Sequence, residues 1–160
     1  MPILHIQLAA QAKTPDGKTV SINPNIALHQ RGPIIQVSVT IEQNAGKGLV
    51  AQGKPLPTPR TGLALIDTGA TGTCIDEKVA QELGLPIIDV GKMTSATHAD
   101  QQCSVYPVQI NVPPILVLNS PRTMGAALAA QGLMILIGRD VLRTCNLFYN
   151  GPAGQFTLSM

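Results

Sequence analysis

Ile35, Val37, Val39 and Ile41 alternate with Gln36, Ser38 and Thr40, and this period of two predicts a half-buried β-strand. The same alternation marks Leu4, Ile6 and Leu8, then Val20 and Ile22, then Tyr106 to Val112, and finally Phe156, Leu158 and Met160. Thr14-Pro15-Asp16-Gly17-Lys18 separates the first two of these runs and predicts a hairpin between them, with Asp-Gly in the turn. Ile87 to Met93 and Cys103 to Val112 bracket a polar tip, Thr94 to Gln102, and predict a second hairpin. Three apolar runs do not alternate: Leu63 to Ile66, Ile115 to Leu118 and Met134 to Ile137. Each predicts a short strand buried on both faces.

Helices are expected to be few and short. Asp76 caps one that runs through Leu83 and ends at Gly84 and Pro86. Ser120-Pro121 reads as the N-cap and first residue of another, with Ala126 to Ala130 inside and Gly132 ending it. Arg139 to Cys145 forms a third after Gly138. Asn23-Pro24-Asn25 breaks the first hairpin off, and Asn150-Gly151-Pro152 turns the chain before its last strand. Gln43 to Arg60, rich in Gly and Pro, predicts a loop or loose hairpin; Pro55, Pro57 and Pro59 are spaced by two, unlike a P-x-x-P ligand.

Composition sharpens this to one all-β domain spanning 1–160. A 44% hydrophobic content and a mean hydropathy of +0.21 argue against disorder, and 13 prolines and 15 glycines suit many short strands joined by turns. With aromatics at 2% and no Trp, the core is built from Ile, Val, Leu, Ala and Met. A net charge of +2 without a basic cluster speaks against a nucleic-acid partner, and no apolar segment reaches the length of a membrane span. The start of the chain lacks the basic region and long apolar core of a signal peptide. Cys74, Cys103 and Cys145 are odd in number and form no C-x-x-C, which suggests neither disulfides nor zinc and fits reduced thiols in a cytoplasm.

The candidate chemistry sits in L-A-L-I-D-T-G-A-T-G-T-C-I-D, Leu63 to Asp76. Four apolar residues run straight into Asp67-Thr68-Gly69, so Asp67 stands where a buried strand leaves the core. Gly69 and Gly72 permit tight turning and close approach, and Thr68, Thr71 and Thr73 supply hydroxyls that can fix the loop. A carboxylate held in this way is a candidate acid or base. Other groupings are weaker. Gly17-Lys18-Thr19 lacks the earlier glycine of a phosphate loop, with Ala12 in its place. His98, Asp100 and Cys103 fall in a polar hairpin tip, where solvation is the ordinary fate. Three scattered histidines support no Ser-His-Asp arrangement, and Cys74 reads as a small buried residue.

The Asp67-Thr68-Gly69-Ala70 stretch after its apolar strand resembles the active-site loop of the retropepsin-like aspartic proteases. M-I-L-I-G-R-D-V-L, Met134 to Leu142, is similar to the same family's apolar strand, Gly-Arg-Asp/Asn motif and short C-terminal helix. The resemblance covers roughly residues 31 to 43 and 61 to 160 and implies an acid-protease barrel with one Asp-Thr-Gly per chain. Since that chemistry needs two carboxylates, it implies a homodimer hydrolysing polypeptide substrates through a water held between two Asp67 side chains, without metal or cofactor. Thr68, Gly69 and Ala70 would support the loop, with Thr68 bonding across the dimer. Gly138, Arg139 and Asp140 would be structural. An acidic residue that retroviral members carry is replaced by Thr71 here.

Against the compact viral members, 1–30 reads as an N-terminal hairpin extension, 44–60 as a loop insertion and 90–105 as the flap hairpin. Thr94, Ser95, Ala96, Thr97 and His98 would face substrate, although the tip lacks the glycines usual in retroviral flaps. Ile3 to Leu8 and Phe156 to Met160, which would otherwise be exposed edges, are expected to pair across the dimer. The alternative is a non-catalytic dimeric peptide-binding module on the same fold.

Overall fold

The alternating run around Val37 becomes the wall of a closed barrel. In the structure, a computed structural model that describes residues 2–94, 101–113 and 116–160, β4 (Ile34–Ile41) turns Ile35, Val37, Val39 and Ile41 into the core. Its first part pairs antiparallel with β5 (Arg60–Ile66) and its end with β8 (Gln101–Val112). From β5 the sheet continues through β10 (Ile135–Ile137), β6 (Cys74–Asp76) and β9 (Leu116–Ala126) back to β8, closing six strands on themselves. β7 (Asp89–Met93) pairs with the first part of β8, so the expected hairpin forms; its tip residues Ser95 to Asp100 lie outside the described residues. Branched aliphatic side chains fill the barrel, as the near absence of aromatics requires. The all-β barrel with short helices is therefore what the chain forms.

The N-terminal hairpin is placed differently from the expectation. β2 (Ala10–Lys13) pairs with β3 (Thr19–Ile22), while β1 (Ile3–Gln7) pairs with β12 (Gln155–Ser159). The turn does use Asp16-Gly17: Gly17 has φ +82°, and Thr14 hydroxyl bonds the Asp16 carboxylate. Leu4 and Ile6 gain more by joining the core beside Phe156 and Leu158, which are fully buried, than by facing the solvated β3. β12 is flanked on its other side by β11 (Asn146–Asn150). Phe156 to Ser159 therefore lies in a central strand, not an exposed edge, and the expectation that both terminal segments need a partner chain's strands fails on that count.

Three further expectations are corrected. Asn23-Pro24-Asn25 does not simply break the chain but starts α1 (Pro24–Arg31), where the Asn23 side chain accepts from Asn25 N, Pro24 sits in the first turn, and Ala27 and Leu28 are buried. Gln43 to Arg60 is not all loop, because Glu42 caps α2 (Gln43–Ala51) by accepting from Asn44 and Ala45 N at 2.8 and 3.0 Å. Ala45 and Leu49 of this helix pack on the core, which outweighs the low helix propensity of Gly46 and Gly48. Ser120-Pro121 begins no helix; β9 runs through it. Between Tyr106↔Thr123 and Val108↔Ser120 the register shifts, so Pro107 faces Pro121 and Arg122 in a bulge, where the missing proline N–H groups break no ladder bond. Only a 3-10 turn, Ala129–Gln131, remains of that helix, ended as expected by Gly132 at φ +68°.

Candidate active site

β5 buries Ala64 and Ile66, and Asp67 N donates to Ile137 O at 2.9 Å, carrying the parallel β5–β10 pairing one residue further. The chain then leaves the barrel wall. Asp67 is half-buried, and its Oδ1 accepts from Gly69 N at 2.8 Å and Ala70 N at 3.3 Å. A Cβ on residue 69 would stand 3.1 Å from that oxygen, so glycine lets the backbone close on the carboxylate. Both bonds fall on Oδ1, and among the described residues Oδ2 has no protein partner. Thr68 and Gly69 are exposed beside it.

β10 enters between β5 and β6, parallel to the first and antiparallel to the second, and delivers Gly138 against the far side of the loop. A Cβ there would lie 2.5 Å from both C and O of Gly72, so two backbones touch and only glycine fits. Gly138 N donates to Thr73 Oγ1 at 3.1 Å, and that hydroxyl donates to Asp140 Oδ1 at 2.7 Å. Thr73 N donates to Asp140 Oδ2 at 3.0 Å, and Val141 N to Oδ1 at 2.9 Å. Arg139 N and Asp140 N donate to the carbonyls of Ala70 and Thr71 at 3.0 and 3.2 Å. The Arg139 guanidinium bonds Thr71 Oγ1 at 2.9 Å, so the hydroxyl at 71 takes up the arginine. From Gly138 the short α4 (Arg139–Leu142) carries the chain away.

Of the residues singled out from the sequence, the structure thus joins Asp67 to Ala70 with Gly138 to Asp140. Thr94 follows β7, and Ser95, Ala96, Thr97 and His98 lie outside the described residues. Two side chains were not foreseen in their full role. Thr73 is fully buried at the crossing of the two loops. Asp76 caps α3 (Glu77–Glu82), as its position predicts, but its Oδ2 also accepts from Leu128 and Ala129 N at 2.9 and 2.8 Å, fifty residues on. A contact of that separation leaves no local pattern.

Burial pushes the Cys74 thiol up to about 11, helped by Cys103, Asp140 and Asp67 nearby, so it is no ready nucleophile. Among the described residues no three His, Cys, Asp or Glu side chains converge, and no helix is long and apolar enough to cross a membrane. Clefts of about 480 Å³ beside α2 and about 410 Å³ between β1 and β4 are lined by other residues, not by Asp67.

A closed barrel carrying an aspartate loop locked against a Gly-Arg-Asp turn defines the fold of the retropepsin-like aspartic proteases. Residues 60–144, just over half of the chain, match the family described as "gag-polyprotein putative aspartyl protease", and the chain belongs to that family. Among solved structures, it is similar to the crystal structure of a retropepsin-like aspartic protease from Rickettsia conorii. That likeness covers 98% of this chain and 91% of the other, at 12% identity and a TM-score of 0.47. A comparison with curated protein sequences gives no match.

Proposed function

We propose that the chain is an aspartic endopeptidase that works as a two-fold homodimer, each copy contributing one Asp67. The observation that carries this reading is the Asp67 carboxylate itself. One of its oxygens is fixed by two backbone N–H groups, and the other has no partner among the described residues, on a loop cross-tied to Gly138, Arg139 and Asp140. Two such carboxylates meeting at an axis share one proton, because both cannot ionise at close range. The ionised one takes a proton from a water held between them, and that water attacks the scissile carbonyl. The protonated one donates to the carbonyl oxygen as its charge develops, and the roles reverse when the amine leaves. Thr68 of each copy would bond across the axis. The β7–β8 hairpin, with Thr94 and the residues after it, would close over a polypeptide substrate. On this reading the substrate groove is built between two copies, and the two clefts described above, neither lined by Asp67, are separate from it.

The test is cleavage of a peptide library by wild type beside Asp67→Asn. The amide cannot act as the base, so activity is expected to fall at least about a thousandfold while the fold and assembly persist. Equal cleavage by both proteins would sink the proposal, and absence of cleavage by either would favour a peptide-binding module.

A further inference from the structure

The chain has two Phe, two Tyr and no Trp, and two of these four rings are consecutive in sequence and exposed. Phe148 is 65% exposed and Tyr149 49% exposed, both on β11. β11 is an edge among the described residues: its one partner there is β12, and the order of the small sheet is β1-β12-β11. Neighbouring residues of a strand point to opposite faces, so the two rings flank the free edge from either side. A strand added there would be clasped between them. Alternate N–H and C=O groups of β11 face outward, ready to pair.

Two other edges are defended, although β1, the far edge of the same sheet, is not. β7 carries Asp89 and Lys92, with Asp89 tied to Arg122, and the β2–β3 hairpin carries Lys13, Asp16 and Lys18 near its tip. β11, reading N-L-F-Y-N, has no charge and no proline. It is also nearly symmetric about Phe148. Antiparallel pairing with itself sets Phe148 against the partner's Phe148, Leu147 against the partner's Tyr149, and Asn146 against the partner's Asn150. Nothing in that register places like charges together.

We infer that β11 pairs with β11 of a second copy across a two-fold axis, fusing the two small sheets into one of six strands in the order β1-β12-β11-β11-β12-β1. The choice of a second copy rests on the proposed peptidase reading, in which one chain holds half of the catalytic pair. β11 suits the required axis better than β1 does. Only Arg143, Thr144 and Cys145 separate it from α4, whose first residues are bonded to the carbonyls of Ala70 and Thr71 in the Asp67 loop. β1 lies two strands further across the sheet, roughly 10 Å away. An axis beside β11 is thus joined to each aspartate loop through α4 alone. The terminal segments contribute as flanking strands of their own chain and are not exchanged.

Sedimentation velocity over a range of concentrations tests this on the full chain, with Phe148→Asp and, as the control edge, Ile3→Asp. Both side chains are more than half exposed, and melting curves verify that each variant folds. Phe148→Asp opposes two carboxylates at the axis and is expected to raise the dimer dissociation constant at least about tenfold, whereas Ile3→Asp changes it less than about twofold. A wild type that stays monomeric at high concentration overturns the inference, as does a folded Phe148→Asp variant that dimerises like wild type. Dimerisation lost with Phe148→Asp in a protein that cleaves no peptide would leave the interface standing and remove the peptidase reading alone.

Discussion

Asp67 and Asp76 both sit at strand ends nine residues apart, and their surroundings assign them opposite roles. Asp76 is 3% exposed, and its two oxygens accept four N–H bonds, from Lys78, Val79, Leu128 and Ala129. Its bonding capacity is spent on structure. Asp67 spends one oxygen on Gly69 and Ala70 N, and its other oxygen has no partner among the described residues. Asp76→Ala strands the Leu128 and Ala129 donors and is expected to cost about 3 kcal/mol or more in urea denaturation, while Asp67→Asn changes stability by less than about 1 kcal/mol. The Cys74 thiol gives a second prediction at this scale. Its folded pKa, about 11, lies above the ordinary value of 9.0, so the folded state holds the proton longer than the unfolded one. Its contribution is complete below pH 9 and is lost as pH rises from there toward 11. At pH 8 only about a thousandth of this thiol is ionised, so mass spectrometry after alkylation is expected to find Cys74 unmodified until denaturant is added.

At the scale of elements, legibility followed locality. β4, α3 with its Asp76 cap, the β7–β8 hairpin and the final β12 carry their signals within a few residues, as alternation or a capping side chain. α1, α2 and the long β9 do not. Glu42 is a weaker capping type than Ser or Asp, and two glycines in α2 argue against a helix until Ala45 and Leu49 find the core. Glu42→Ala is expected to cost about 1 kcal/mol and to reduce helical circular dichroism. In β9, Ser120-Pro121 has the form of a helix start, and only the opposing Pro107 on another strand reveals the bulge that accommodates it. The site divides in the same way. The aspartate loop and the Gly-Arg-Asp turn were visible separately, whereas the buried Thr73 hydroxyl that links them is a product of the barrel. Thr73→Val removes that link and leaves Asp140 short of partners. It is expected to lower stability by about 2 kcal/mol, read from denaturation midpoints.

At the scale of the molecule, the proposed peptidase reading, with one aspartate loop per chain, makes activity a property of concentration. If two copies supply the carboxylates, specific activity falls on dilution in step with the dimer fraction seen by sedimentation. Excess Asp67→Asn chains mixed with wild type suppress it by forming mixed pairs. Activity per chain that does not vary with concentration would contradict the dimeric reading.

β10 has a consequence for the order in which the chain acquires its shape. It is three residues long and lies between β5 and β6, yet it follows β5 by roughly seventy positions. The β7–β8 and β8–β9 hairpins close over short spans and can form early. The Asp67 loop cannot, because the carbonyl that accepts its amide and the glycine that backs it both arrive with β10. Refolding is therefore expected to assemble the hairpins first and the aspartate loop last. In pulse-labelled hydrogen exchange, the amides of Asp67 and Leu136 gain protection only in the slowest phase, after those of β8 and β9. A nascent chain that has not yet released residue 138 would carry the Asp-Thr-Gly motif in an unlocked form, and on the proposed peptidase reading would be unable to cut anything while it is being made.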